Sequence, residues 1–377
     1  MKEFLLSAPC HFGLESVLSG ELKRIGGQNV KATDGRVNFT GGPEMLARAN
    51  LWLRTAERVQ LVLDSFPATS FEQLFEGIRA IPFEDYIGRE DAFPVKGWSL
   101  NSQLHSIPDC QAIIKKAIAK RMERAYGQSW FAETGAKVQV QFTILKDTVT
   151  ILLDSSGAGL HKRGYRPDAN EAPIKETLAA GILDLARIYP DTQIYDPFCG
   201  SGTFLIEAAL KGFQIAPGLR RRFAAEHWGF IDAAVWQQER KAATEAVRKD
   251  ATFRAWGSDI SPRAAELTLE NAKRAGVGTR VKAAVGDIAD FKLPEGRSLV
   301  VCNPPYGERL LEVKEAEALY QTMGRVFEPR EDLSYCIISP HKDFELLFGR
   351  RADKRRKLYN GMIECQLYLY LATKRFE

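Results

Sequence analysis

Apolar and polar positions in the N-terminal part of the chain switch repeatedly between a two-residue and a helical period. Phe4–Ala8 reads as a short strand. Leu14, Val17, Leu18 and Leu22 recur at helical spacing across Gly13–Arg24, which Gly26 and Gly27 terminate. Asn29–Thr40 is strand-like and is broken by Asp34-Gly35, a hairpin signal. A helix from Pro43 to about Thr55 and a strand over Arg58–Asp64 complete the round. Strand, helix, two strands, helix, strand is the order of a split βαβ unit, so residues 1–65 are expected to be ferredoxin-like.

A second round follows: a helix over Ser70–Ile78 with Ser70 as its cap, a strand Ala92–Ser99, a helix Asp109–Tyr126, and strands Lys137–Leu145 and Thr148–Asp154 turning at Lys146-Asp147. The helix Asp109–Tyr126 interleaves Lys115, Lys116, Lys120, Arg121 and Arg124 with Ile113, Ile114, Ala117 and Ile118. That pattern fits a solvated face or a phosphate-contacting one. Ser155–Gly159, all small residues, reads as a linker. Beyond it the pattern changes to strands that end in acids and are followed by helices, with Asp196, Asp259 and Asp287 at three such ends.

With 377 residues, two or three domains are expected. A hydrophobic content of 45% and a charged content of 27% describe a soluble globular protein. The apolar run after Met1 is too short for a signal segment and none approaches a membrane span, so a cytoplasmic location without membrane partners is expected. Six cysteines without a Cys-x-x-Cys pair, and five histidines not clustered with them, indicate neither a disulfide framework nor a metal site. The net charge of +4 permits a nucleic-acid partner without requiring one.

Candidate chemistry lies in two segments. Ile194–Glu207 runs from an apolar strand through Asp196, Pro197, Phe198, Cys199, Gly200, Ser201 and Gly202 into a helix starting at Thr203. Glycines there let the backbone approach a ligand, and the helix N-terminus offers unpaired N–H groups. No Gly-Lys-Ser/Thr follows, and no third glycine, so neither a Walker loop nor Gly-x-Gly-x-x-Gly is present. Taken alone, the stretch is also a plain strand-to-helix turn. About a hundred residues on, Ser298–Arg309 is an apolar strand leaving through Asn303, Pro304, Pro305, Tyr306 and Gly307. Two prolines at that exit stiffen it and remove two backbone donors.

Together these segments resemble the cofactor and catalytic loops of S-adenosylmethionine-dependent methyltransferases that modify exocyclic amines of bases. The N-terminal half resembles the THUMP arrangement of RNA-modifying enzymes. The chain as a whole is similar to the bacterial 23S rRNA guanine-N2 methyltransferases. The resemblance implies a Rossmann-like α/β domain with a seven-stranded mixed sheet over 161–377, preceded by the ferredoxin-like region and by a THUMP domain over 66–160 or from near 45. It implies S-adenosylmethionine as cofactor, and Asp196, Phe198, Gly200, Gly202, Thr203, Asp259, Ile260, Asp287, Ile288 and Asn303 as its contacts. Asp259 would take the ribose hydroxyls, and Asp287 the adenine amine with Ile288 on the ring. Either acid could instead cap a turn. Asn303 and the Pro304 carbonyl would accept from the base amine while Tyr306 stacks on the base, and no metal enters. Cys199 and Cys302 read as packing residues rather than nucleophiles.

The resemblance also covers His161–Arg166, where Lys162, Arg163, Tyr165 and Arg166 are substrate-channel candidates for RNA, with Lys116 and Lys120 on the earlier helix. A basic hinge packed on the catalytic domain is the plain alternative for the first four. Asp196 and Asp259 lie 63 residues apart where dinucleotide folds have about 20, so 212–254 is an insertion expected beside the cofactor. It could cover the site, grip RNA or be a helical decoration. At the end, the basic run Phe348–Lys357 leads into strands Lys357–Asn360 and Ile363–Ala372 turning at Asn360-Gly361, which fit the closing pair of such a sheet. One catalytic domain implies one methylation, most consistent with guanine N2 in large-subunit rRNA. The alternatives are a tRNA guanine-N2 or DNA adenine-N6 methyltransferase, and a non-catalytic RNA-binding assembly factor.

Overall fold

The computed structural model describes residues 3–167, 174–188, 192–307 and 310–372; of the motif residues above, Glu308 and Arg309 lie outside these. In chain order the elements are β1 (Phe4–Pro9), α1 (Glu15–Arg24), β2 (Gln28–Thr33), β3 (Arg36–Gly41), α2 (Pro43–Trp52), β4 (Gln60–Pro67), α3 (Phe71–Ala80), β5 (Val95–Leu100), α4 (Ile107–Tyr126), β6 (Val140–Leu145), β7 (Thr148–Asp154), α5 (Glu176–Leu185), β8 (Gln193–Asp196) and α6 (Thr203–Gly212). Then come α7 (Ala233–Glu245), β9 (Ala255–Asp259), α8 (Pro262–Ala275), β10 (Val281–Val285), β11 (Ser298–Cys302), α9 (Leu310–Val326), β12 (Leu333–Ser339), α10 (Phe344–Phe348), β13 (Lys354–Asn360) and β14 (Ile363–Tyr370). Among the described residues no helix is long and apolar enough to cross a membrane. Packing divides the chain into two units.

The first unit is Met1–Cys10, Ser19–Leu160 and Arg221–Ala242. Its sheet runs β2-β3-β1-β4-β7-β6-β5, antiparallel throughout except for β5 beside β6. The two rounds read from the sequence therefore share one sheet, joined where their last strands, β4 and β7, pair. Ser70 caps α3 as expected, accepting from the Gln73 N–H at 3.2 Å. Lys146 and Asp147 both take positive φ, the requirement of a type I′ hairpin turn.

Ser155 and Ser156, in the small-residue segment before the second unit resumes at His161, are held in place. Both are buried against Asn50, whose Nδ2 donates to Ser155 Oγ at 2.9 Å and whose Oδ1 accepts from Ser156 Oγ at 2.7 Å. Their small side chains are needed for packing, not for freedom. Within the expected insertion, 221–242 is part of this first unit. Buried Trp228 donates Nε1–H to the Lys137 carbonyl at 3.2 Å, and Glu239 takes Arg48 by two bonds of 2.9 and 2.6 Å.

The second unit is His11–Leu18, His161–Arg220 and Ala243–Glu377. Its sheet order is β10-β9-β8-β11-β12-β14-β13, parallel but for β14, which runs antiparallel to both neighbours. This is the expected seven-stranded mixed sheet. Side chains alternate along its strands. Leu299, Val301, Leu367 and Leu369 join the apolar cluster with α5, α6 and α8, while Val300, Cys302, Tyr368 and Tyr370 join Tyr320, Met323, Phe327 and Phe344 on the other face. Both faces are covered, as a parallel sheet requires. Strand order reverses between β8 and β11, so the crevice outside their carboxyl ends is where such a fold binds ligands.

Candidate active site

A cavity of about 720 Å³ opens at that switch point, within the usual range for small-molecule sites. It is lined by the loop from Asp196 to Thr203, by Asp259 and Ile260, by Asp287 and Ile288, and by Asn303, Pro304, Pro305 and Tyr306. Gly202 also belongs to this loop, at φ 80, as the residue from which α6 starts. Strand register explains the convergence. Asp196 pairs with Gly257, so β9 runs two residues further to Asp259; Val285 ends β10 level with Asp259, and Asp287 follows two residues on along the same rim.

The glycine loop is held from below. Gly202 and Gly200 take positive φ, and a Cβ on Gly202 would lie 2.8 Å from the Thr268 methyl. Thr268 Oγ1 donates to the Gly200 carbonyl at 3.0 Å, and Asn271 Nδ2 to the Ser201 carbonyl at 3.0 Å. Gly257 leaves room for the loop, since a Cβ there would meet Leu205 at 2.6 Å and Cys199 at 2.8 Å. Asp259 fastens the loop as well: Oδ2 accepts from the Gly200 N–H at 2.9 Å and Oδ1 from Ser261 at 3.0 Å. A carboxylate keeps further acceptor capacity after two such bonds.

Asp196 is buried, with Oδ1 accepting from the Phe198 N–H at 3.0 Å. Burial, and secondarily Asp259, pushes its carboxyl up to about 8 against that hydrogen bond. Asp287 is exposed and caps a short turn through the Ala289 N–H at 2.9 Å, while Ile288 beside it is buried and Ile260 is 72% exposed. Burial raises the Cys199 thiol to about 12 and the Cys302 thiol well above its ordinary value, so both are neutral thiols at physiological pH.

The chain matches the family described as "RMKL-like, methyltransferase domain" over residues 163–368. The chain belongs to the RMKL-like methyltransferases. Its first half matches the RlmL ferredoxin-like domain over 6–60 and the THUMP domain over 68–154. It is 43% identical, over all of its length and 98% of the relative's, to "Putative RNA methyltransferase YpsC" of Bacillus subtilis (strain 168). It is 35% identical to "Ribosomal RNA large subunit methyltransferase K/L" of Shewanella sp. (strain MR-4), matching 98% of this chain but only 53% of that protein. A solved structure, "SMU.472, a putative methyltransferase complexed with SAH", superposes with a TM-score of 0.94 at 40% identity, covering 100% of both chains.

In this RMKL-like methyltransferase the Asn-Pro-Pro-Tyr loop turns back on itself. The Tyr306 hydroxyl donates to Asn303 Oδ1, and Asn360 Nδ2 reaches the same hydroxyl at 3.4 Å. The Tyr306 ring packs partly against the apolar core while lining the cavity. The two groups expected to act on a base are thus bonded to each other. Tyr320 fixes the loop by donating to the Pro305 carbonyl at 3.0 Å.

Two of the RNA-contact expectations need correction. Arg163 and Tyr165 are buried, both facing Glu207, with the Tyr165 hydroxyl donating to Oε1 at 3.0 Å and Arg163 Nε 3.5 Å from it. Arg166 is also engaged, donating to Thr203 Oγ1 at 2.8 Å, to the Ile174 carbonyl at 3.1 Å and pairing with Glu176 at 2.9 Å. Arg166 thus holds two residues of the cavity wall, Ile174 and Thr203, while Arg163 and Tyr165 pack on α6 through Glu207, closer to the plain hinge reading. Lys162 is exposed, as are Lys116 and Lys120, the last paired with Glu123 at 2.6 Å.

Sequence reasoning missed Thr268, Asn271 and Gly257 beneath the loop, and Lys175, Leu319, Asn360, Gly361 and Ile363 in the cavity wall. The β13–β14 hairpin has the expected inner bounds, Asn360 and Ile363. Asn360 pairs with Ile363, so Gly361 and Met362 form the turn and Asn360 is free to face Tyr306. Among the described residues, none of 212–254 lines the cavity.

Proposed function

We propose that this chain transfers the methyl group of S-adenosylmethionine to the exocyclic N2 amine of a guanine in RNA, with large-subunit rRNA as its substrate. The observation that carries this reading is the single cavity wall shared by the glycine loop, Asp259, Ile288 and the Asn303–Tyr306 loop. The SAH complex of a relative at 40% identity and the K/L relatives' rRNA name support it.

The residues present fit that cofactor. Asp259 has acceptor capacity left for two ribose hydroxyls, Ile260 and Ile288 supply apolar surface for adenine, and Asp287 is an exposed acceptor next to them. Phe198, Gly200, Gly202 and Thr203 would hold the remainder by backbone and contact, with Asp196 beneath. When bound, the cofactor supplies an electrophilic methyl on a sulfonium.

The chain's own work is orientation. An exocyclic amine is a poor nucleophile because its lone pair is delocalised into the ring. Asn303 Oδ1 and the Pro304 carbonyl would accept its two N–H bonds and localise that pair. The Tyr306 hydroxyl, which sits on Asn303 Oδ1, gives way to the amine, and the ring stacks on the base.

The test is incubation with tritiated S-adenosylmethionine and separate pools of unmodified rRNA, tRNA and DNA, followed by digestion to nucleosides. Label is expected in N2-methylguanosine from large-subunit rRNA. Asn303→Ala should lose about 10²-fold or more of the rate, the scale of removing one positioned polar group. Label in DNA adenine or in tRNA would overturn the substrate, and cofactor binding with no label in any pool would overturn the catalytic reading.

A further inference from the structure

The β13–β14 turn contains a residue that neither folding nor the cavity explains. Gly361, at φ 64, occupies the first position of a two-residue turn closed by Asn360 and Ile363, as type II′ turns prefer. The second position goes to Met362. Turn positions of this kind favour small polar residues, which hydrogen-bond locally or tolerate the backbone. Met362 is 97% exposed, more than any other exposed large hydrophobic side chain among the described residues. It adds nothing to a core.

Its position is informative. Asn360, Gly361 and Ile363 all line the cavity that also takes in Asn303 and Tyr306, so Met362 is flanked in the chain by residues of the cavity wall. The strand leading to it presents Lys354, Arg355, Arg356 and Lys357, four exposed cations in succession. Arg355 pairs with Glu345 at 3.3 Å and Lys357 with Glu364 at 2.7 Å, and both cations are themselves more than half exposed. Surface pairs of this kind are weak, and phosphates can replace them.

We propose that Met362 is a wedge that enters the base stack as the target base leaves it, presented by the β13–β14 hairpin beside the cavity. The proposal rests on the reading that the substrate is a base in RNA. A stacked base must rotate out before its amine can reach Asn303, which leaves a gap and costs a few kcal/mol of stacking and pairing. Apolar side chains, methionine among them, fill such gaps in other complexes. An unbranched thioether can adapt to a gap of irregular shape. The benefit exists only where the base starts stacked, and this separates a wedge from a general RNA contact.

The experiment uses the full chain and two transcripts carrying the guanine that the wild-type protein labels, one with it paired within a helix and one with it unpaired in a bulge. Met362→Ala should lower kcat/KM on the paired transcript by about 10-fold or more, the scale of partly uncompensated unstacking. It should change the bulged transcript by less than about 2-fold, and Met362→Leu should restore most of the loss. Melting temperature and SAH affinity stay at wild-type values, because the side chain packs on nothing. Equal losses on both transcripts, or none on either, overturn the proposal. A wild-type protein that labels no RNA would remove the base-methylation reading, and the wedge with it.

Discussion

Asp196 carries a proton at pH values where an ordinary aspartate has long lost it. Its carboxyl is held at about 8 by burial, against an ordinary value of 3.8. Between those values the unfolded chain has released the proton and the folded chain has not, so this group removes stability as pH rises from about 4 to about 8. Asp196→Asn has no such slope. Thermal melts of both proteins without ligand should diverge in the variant's favour between pH 5 and pH 8, and a constant difference would mean the carboxyl is ionised throughout. Tyr306 makes a second test, because ring and hydroxyl have separate tasks. Tyr306→Phe frees Asn303 Oδ1 and keeps the ring, so RNA methylation should stay within about 3-fold of wild type. Tyr306→Ala removes stacking worth about 1–3 kcal/mol, or roughly 5- to 150-fold, in kcat/KM. Asp196, Asp259 and Asn303 were legible in the sequence because each stands where a short strand gives way to a turn. Asn360 was not, since its approach to Tyr306 joins segments 54 residues apart. Arg163 and Tyr165 were misplaced because a basic-aromatic run looks alike on a surface and around a buried glutamate such as Glu207.

At the scale of elements, the cofactor loop depends on β9 and α8 as much as on its own glycines. The glycines are visible in sequence. Their supports are not: Thr268 and Asn271 lie in a helix whose Ala, Leu and Glu content reads as ordinary amphipathic surface, and Gly257 is one glycine in a short strand. Gly202→Ala forces a side chain into positive φ and against Thr268, a strain of about 1–3 kcal/mol at the point where backbone must meet ligand. Calorimetric titration should show SAH affinity reduced by about 10-fold, the equivalent of 1.4 kcal/mol, or more, whereas Asn303→Ala, at the far side of the cavity, should change it far less. Equal effects of the two variants would mean the loop is not what holds the ligand.

For the molecule as a whole, linear order and packing diverge. Residues 221–242 sit inside the methyltransferase half of the sequence and pack in the first unit, through Trp228 on the Lys137 carbonyl and Glu239 on Arg48. No local pattern announces such partners, which are 91 and 191 residues away. Trp228→Ala should destabilise the first unit by about 3–5 kcal/mol, seen as earlier unfolding in calorimetry, with SAH affinity kept within about 2-fold. Loss of SAH binding instead would tie the segment to the cavity. The proposed reaction itself is tested most directly by nucleoside mass spectrometry of large-subunit rRNA from cells that lack this gene. N2-methylguanosine should fall in the deletion strain, return with the wild-type gene and fail to return with Asn303→Ala; an unchanged N2-methylguanosine content in the deletion strain would contradict guanine-N2 methylation of rRNA by this protein.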